Sequence, residues 1–180
     1  VADGELQLFD TATRGNSAAR AGLARAPVSD VRHAAAPHPA AVPALCRAVV
    51  LLCDGACAHL VGGSSGRSDF GLVDVYDAAA DRWTPGPELE PRGTHGAVVY
   101  RGALHVFGGE SQALGRNLAT VLRLGADGWV NAPPMPTARN YARAVAVGDA
   151  VYVVGGSLEA GNSHGAVGSK VVERYQPVAR

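Results

Sequence analysis

Ala103-Leu104-His105-Val106-Phe107-Gly108-Gly109 is an apolar run ending in two glycines, and the chain carries it three times. Cys57-Ala58-His59-Leu60-Val61-Gly62-Gly63 stands 46 residues earlier (108 − 62), and Ala150-Val151-Tyr152-Val153-Val154-Gly155-Gly156 stands 47 residues later (155 − 108). Working outward, Arg92 and Arg139 each lie 16 residues before a glycine pair (108 − 92, 155 − 139), and Trp83 and Trp129 each lie 20 residues after one (83 − 63, 129 − 109). One unit of that length cannot bury its own apolar face, so an internal period of this size implies units stacked on one another.

Each unit reads as short strands punctuated by turn residues. Ala142 to Val147 is apolar, Gly148-Asp149 is a hairpin signal, and Ala150 to Val154 is apolar again. Arg101-Gly102 and Asp54-Gly55 occupy the same turn in the other units. A third strand is expected at Leu72 to Tyr76, Ala119 to Leu124 and Lys170 to Tyr175, and Trp83 and Trp129 open a fourth. Four antiparallel strands per unit describe a blade of a β-propeller, so the fold class expected is all-β. The recurring residues then have structural duties. Gly62, Gly63, Gly108, Gly109, Gly155 and Gly156 permit positive φ and close backbone approach. Trp83 and Trp129 fill seams between blades as buried residues, each indole N–H needing one acceptor. Arg92 and Arg139 precede the innermost strands, where a guanidinium satisfies several carbonyls at once.

Composition narrows the function classes. The 180 residues are 47% hydrophobic and 18% charged, the balance of a globular domain. Lys plus Arg and Asp plus Glu both number 16, so no net field attracts nucleic acid or an anionic membrane surface. The longest apolar run, around Ala48 to Cys53, falls far short of the roughly 18 residues that a membrane helix needs. Three cysteines, Cys46, Cys53 and Cys57, make an odd count, which speaks against a disulfide framework and favours a reducing, cytoplasmic compartment. Cys53, Cys57 and His59 could be read as zinc ligands, but Cys57 and His59 fall where the other units carry Ala103 and His105, or Ala150 and Tyr152. Ordinary strand positions are the better reading, and neither metal nor cofactor is expected.

These residues resemble the kelch repeat family, whose pattern is an Arg before the first strand, an apolar strand ending in Gly-Gly, a Tyr-Asp, and a Trp six residues past the Asp. Val75-Tyr76-Asp77 followed by Trp83 matches it, and Tyr175 falls at the Tyr position of the third unit. Met135-Pro136-Thr137-Ala138-Arg139-Asn140 through Gly155-Gly156 is similar to the repeat opening in bacterial kelch proteins and in the kelch-like ubiquitin-ligase adaptors. The likeness covers Ala48 to Gln176. The second unit departs from it with Leu122-Arg123 at the Tyr-Asp place, and the third carries six extra residues, Gly156 to Tyr175 being 19 against 13 from Gly63 to Tyr76.

The resemblance implies a partial kelch propeller: residues 1–10 a remnant of a preceding blade, with Leu8-Phe9-Asp10 as the tail of a third strand; 11–43 an Ala-, Pro- and Arg-rich loop or linker; 44–90 and 91–136 blades; and 137–180 a blade lacking its outer strand. Two or three blades cannot close a ring of four to eight, so open edges and faces invite self-association or a complex. The chain is expected to be an excerpt of a longer protein or a degenerate copy packing on other chains.

Kelch propellers mostly bind proteins, presenting the loops between strands two and three, and those before strand one, on one face. Here that implies a non-catalytic scaffold for a protein partner, with Ser64, Arg67, Asp69, Glu110, Gln112, Arg116, Asn117, Glu159, Asn162, Ser163 and His164 as candidate contacts, and Thr94 and Tyr141 just before innermost strands. Arg and Tyr suit binding hot spots. The alternatives are an enzyme of the galactose oxidase or sialic-acid mutarotase type, or a structural subunit of a larger assembly. The six histidines form no close metal-ligand pair, and the chain has no nucleophile elbow, phosphate loop or suggestively paired carboxylates.

Overall fold

The computed structural model describes residues 50–53, 57–65, 68–77, 79–161 and 168–176. The expected blade remnant at 1–10, the linker at 11–43 and the candidates Arg67, Asn162, Ser163 and His164 lie outside them. Among the described residues the regular structure is antiparallel strand. Blade 1 is β1 (Val50–Cys53), β2 (Cys57–Val61), β3 (Val73–Asp77) and β4 (Arg82–Pro85), paired in chain order. Blade 2 is β5 (Gly96–Tyr100), β6 (Ala103–Phe107), β9 (Val121–Gly125) and β10 (Gly128–Ala132), with a small hairpin of β7 (Glu110–Ser111) and β8 (Arg116–Asn117) inserted between its second and third strands. Blade 3 shows β11 (Arg143–Val147), β12 (Ala150–Val154) and β13 (Val172–Tyr175). The third strands thus start one or two residues later than the apolar runs suggest, and the β7–β8 hairpin carries no apolar alternation that would announce it.

The repeat also fixes register. Phe107 pairs with Gly96 on one side and Val121 on the other, and Val154 pairs with Arg143 and Val172 in the same way. Two-residue turns close the first hairpins of blades 2 and 3. Arg101 and Gly102 sit at φ 50° and 70°, the left-handed pair that matches strand twist.

Alternation along the strands gives each blade two apolar faces, so cores form between blades. Val61 and Val73 of blade 1 bury against Leu104, Val106 and Leu122 of blade 2, with Leu89 and the flank of Trp129. The next seam is aromatic: Tyr100, Phe107 and Val121 of blade 2 bury against Ala142, Val151 and Val153 of blade 3, with Met135 and Tyr175. The Tyr175 ring meets Phe107 edge-on at 5.2 Å and His105 at 5.9 Å. The first strands of successive blades, β1 with β5 and β5 with β11, lie side by side, which makes them innermost.

The tryptophans are less buried than their size suggests. Trp129 reaches the first seam but is half-buried, because it lies at the outer margin where its Nε1–H donates to the Pro87 carbonyl at 2.7 Å. Trp83, also half-buried, leans on Tyr76 at 5.2 Å between ring centroids. An indole whose N–H needs a loop carbonyl cannot also lie in the middle of an apolar seam.

Candidate functional site

The glycine pairs end the second strands at one end of the blades, and there the structure ties each blade to the next. Gly63 N–H donates to the Arg92 carbonyl at 3.1 Å, and Gly109 N–H to the Arg139 carbonyl at 3.0 Å. The arginines reply: Arg92 N–H donates to Phe70 O and Arg139 N–H to Leu118 O, both at 3.3 Å. Glycine is required at the turn. A Cβ on Gly108 would come within 2.6 Å of the Arg139 carbonyl, one on Gly109 within 2.6 Å of the Gly93 carbonyl, and their φ values are 59° and 94°.

On that foundation the loops of adjacent blades interlock. Gln112 Nε2 donates to Ser64 Oγ at 2.6 Å and to Asp69 Oδ1 at 3.1 Å, and its amide donates to Asp69 Oδ2, so the blade 1 loop is held by the blade 2 hairpin. The Glu110 carboxylate accepts from Asn140 Nδ2 at 2.7 Å and from the Gly161 amide at 3.1 Å. Asn117 Nδ2 donates to the Ser157 carbonyl at 3.1 Å, joining blade 2 to blade 3. Asn140 and Ser157 exchange both backbone bonds, as Gly93 and Glu110 do one repeat earlier.

The candidate residues therefore divide. Ser64, Thr94 and Glu110 are buried, Asp69, Gln112 and Asn117 are half-buried within these ties, and Arg116, Tyr141 and Glu159 are exposed. Thr94 and Tyr141 occupy equivalent positions, two residues after Arg92 and Arg139, and both have left-handed backbones, φ 54° and 52°. Tyr141 N–H donates to the Thr94 carbonyl at 2.7 Å, so the strained turn of blade 3 is bonded to that of blade 2. A non-glycine residue there carries strain that only the surrounding bonds sustain. The outcome is that Tyr141 stands out from the face, 40% exposed.

Buried charge-bearing and titratable groups lie beneath the face, among them Arg92, Arg139 and His95. Arg92 is fully buried and nearly satisfied: Nη1 donates to Thr120 Oγ1 at 2.9 Å and Gly108 O at 3.3 Å, Nε to Glu90 O at 3.1 Å, and Nη2 to Glu90 Oε2 at 2.9 Å. Arg139, equally buried, donates only through Nη2, to Val153 O at 2.9 Å and Glu173 Oε2 at 3.1 Å, leaving Nε and Nη1 without a partner. His95 lies between Gly62 and Gly109, and neither ring nitrogen makes a well-aligned hydrogen bond. Its burial, and then the nearby Arg92 charge, push its pKa down to about 4, outweighing a backbone contact with Arg92 that acts the other way. His95 is neutral at pH 7.

Sequence reasoning missed Asn140, Ser157 and His95, each wholly or almost wholly buried. Asn140 had a signal, since it follows a repeated arginine and its partner Ser157 follows a glycine pair. At the opposite end of the strands a cavity of about 460 Å³ opens between blades 1 and 2, floored by His59, Val99, Leu104 and Leu124 under the hairpin turns. Among the described residues no group of three His, Cys, Asp or Glu side chains could hold a metal ion.

No protein-family model matches the chain. Beta-scruin of Limulus polyphemus is 35% identical over 122 residues, 63% of this chain and 12% of scruin, and Kelch-like protein 36 of Bos taurus is 29% identical over 121 residues, 65% of this chain and 20% of that protein. The chain thus spans at most a fifth of the length of these relatives. Among solved structures, that of YjhT superposes with a TM-score of 0.62 at 10% identity, covering 74% of this chain and 43% of YjhT, a likeness of fold. Repeats, register and fold agree that the chain is similar to kelch repeat proteins and folds as blades of a kelch-type β-propeller.

Proposed function

We propose that the chain is a non-catalytic protein-binding scaffold whose loop face, around Tyr141, Arg116 and Glu159, takes a protein partner. The observation that carries this reading is the pair of strained, mutually bonded turns at Thr94 and Tyr141, which hold an aromatic side chain out of a face otherwise locked by hydrogen bonds. Tyrosine offers large contact area at small entropic loss, and a rigid base lowers the ordering cost of binding. The interlocked residues, Ser64, Asp69, Glu110, Gln112 and Asn117, serve as the platform and Arg116 and Glu159 as the polar rim. Arg67, Asn162, Ser163 and His164 belong to the same loops by sequence and stay candidates.

The test is a displayed-peptide selection on the purified chain, followed by affinity measurements on variants. Tyr141→Ala and Arg116→Ala should each weaken the selected peptides at least tenfold, whereas Val130→Ala, on the exposed outer strand β10, should not. Peptides insensitive to Tyr141 and Arg116 would refute the assignment of the face.

A further inference from the structure

The two faces of a blade are interchangeable between repeats, and that makes one exposed surface interpretable. In blade 2, the face covered by blade 3 presents Val98, Tyr100, His105, Phe107 and Val121. Counting by the repeat and the strand register, the equivalent face of blade 3 presents Val145, Val147, Tyr152, Val154 and Val172. Phe107 and Val121 are 0% exposed, whereas Val154 and Val172 are 41% and 58% exposed. Val145 and Val147 are exposed too. Blade 3 therefore carries the face that receives a following blade, with nothing among the described residues laid over it.

The internal seams show what such a face receives. Both internal seams are completed by the opposite face of the next blade: Leu104 and Val106 in one, Val151 and Val153 in the other, all at most 4% exposed. Blade 1 carries the same face, with Ala58 and Leu60 in those places, and both are only half-buried. One chain thus displays a receiving face at blade 3 and an inserting face at blade 1.

We propose that a second copy of this chain seats its blade 1, through Ala58 and Leu60, on the Val145–Val147–Val154–Val172 face of blade 3, head to tail. The same contact made reciprocally is two-fold symmetric and sets the three described blades of one copy against those of the other. Arg174 then lies beside the partner copy's third-strand tyrosine, as Arg123 lies near Tyr175 in the internal seam.

Sedimentation velocity over a range of concentrations tests the contact. The chain should sediment as a dimer, and Val172→Arg or Ala58→Arg should each weaken association at least tenfold, while Ala58→Leu, which installs the residue blade 2 uses, should preserve it. Mixing the two arginine variants should restore a dimer, because one intact pair of faces remains. That rescue belongs to a head-to-tail contact alone. A monomer at every concentration, or an Ala58→Arg variant that dimerises like the parent, would overturn the proposal; the first would leave the face to a blade of other origin, the second would point to identical faces meeting.

Discussion

Blades 2 and 3 share backbone, register and repeat residues, yet their buried arginines are seated differently. Arg92 reaches Gly108 O, Thr120 Oγ1 and both a carbonyl and the carboxylate of Glu90, while Arg139 reaches only Val153 O and Glu173. Val171 explains part of the difference. It stands where blade 2 has Thr120, since Gly108 N–H donates to Thr120 O and Gly155 N–H to Val171 O, but valine has no hydroxyl to offer. A repeat therefore dictates where a side chain goes, and the neighbours decide what that placement is worth.

The contrast is broken most directly at the arginines. Arg92→Met should destabilise the chain by about 3 kcal/mol, because it removes several bonds from a charged donor and leaves the Gly108 carbonyl wanting. Arg139→Met should cost about half as much, since two of its nitrogens already lack partners. Equal losses in chemical denaturation would show that the two seats are equivalent.

His95 offers the next largest contrast, because blade 3 has Ala142 at its position. The unfolded chain takes up a proton on this histidine near pH 6.5, and the folded chain only near 4. Stability present above pH 6.5 should therefore fall as the pH drops towards 4, by about 3 kcal/mol at most. His105, also pushed below its ordinary value by burial, adds to the same trend. Denaturation across that interval should show the slope, and His95→Ala should flatten most of it. An unchanged slope would mean that His95 is not buried as a neutral ring.

A smaller effect separates the tryptophans. Trp129→Ala, which loses half-buried contact area in the seam and the bond to Pro87 O, should cost about 2 kcal/mol. Trp83→Ala should cost less, because Trp83 leans on Tyr76 at a blade margin. Smallest of all, Val171→Thr should raise stability by about 1 kcal/mol by giving Arg139 the hydroxyl that Arg92 already has. Denaturation midpoints measure both.

The strand order and blade type were legible from glycine, arginine and tryptophan spacings, because backbone turns and seam residues leave periodic marks. The state of the loop face was not. Ser64, Glu110 and Gln112 read as polar loop residues, and nothing in their spacing told that Gln112 bonds Ser64 or that Glu110 bonds Asn140, contacts made between residues 48 and 30 positions apart. The left-handed turns at Thr94 and Tyr141 were hidden for a related reason: their residue types do not favour that conformation, and interblade bonding imposes it.

Successive blades are held together by the bonds between each glycine pair and the next arginine, extended by the Tyr141–Thr94 bond. Native-state hydrogen exchange at the Gly63, Gly109 and Tyr141 amides tests this most directly. These three should exchange as slowly as the central amides of β6 and β12, opening only when the whole unit unfolds. Exchange at loop-like rates, with β6 and β12 still protected, would contradict it and show blades that merely rest on one another.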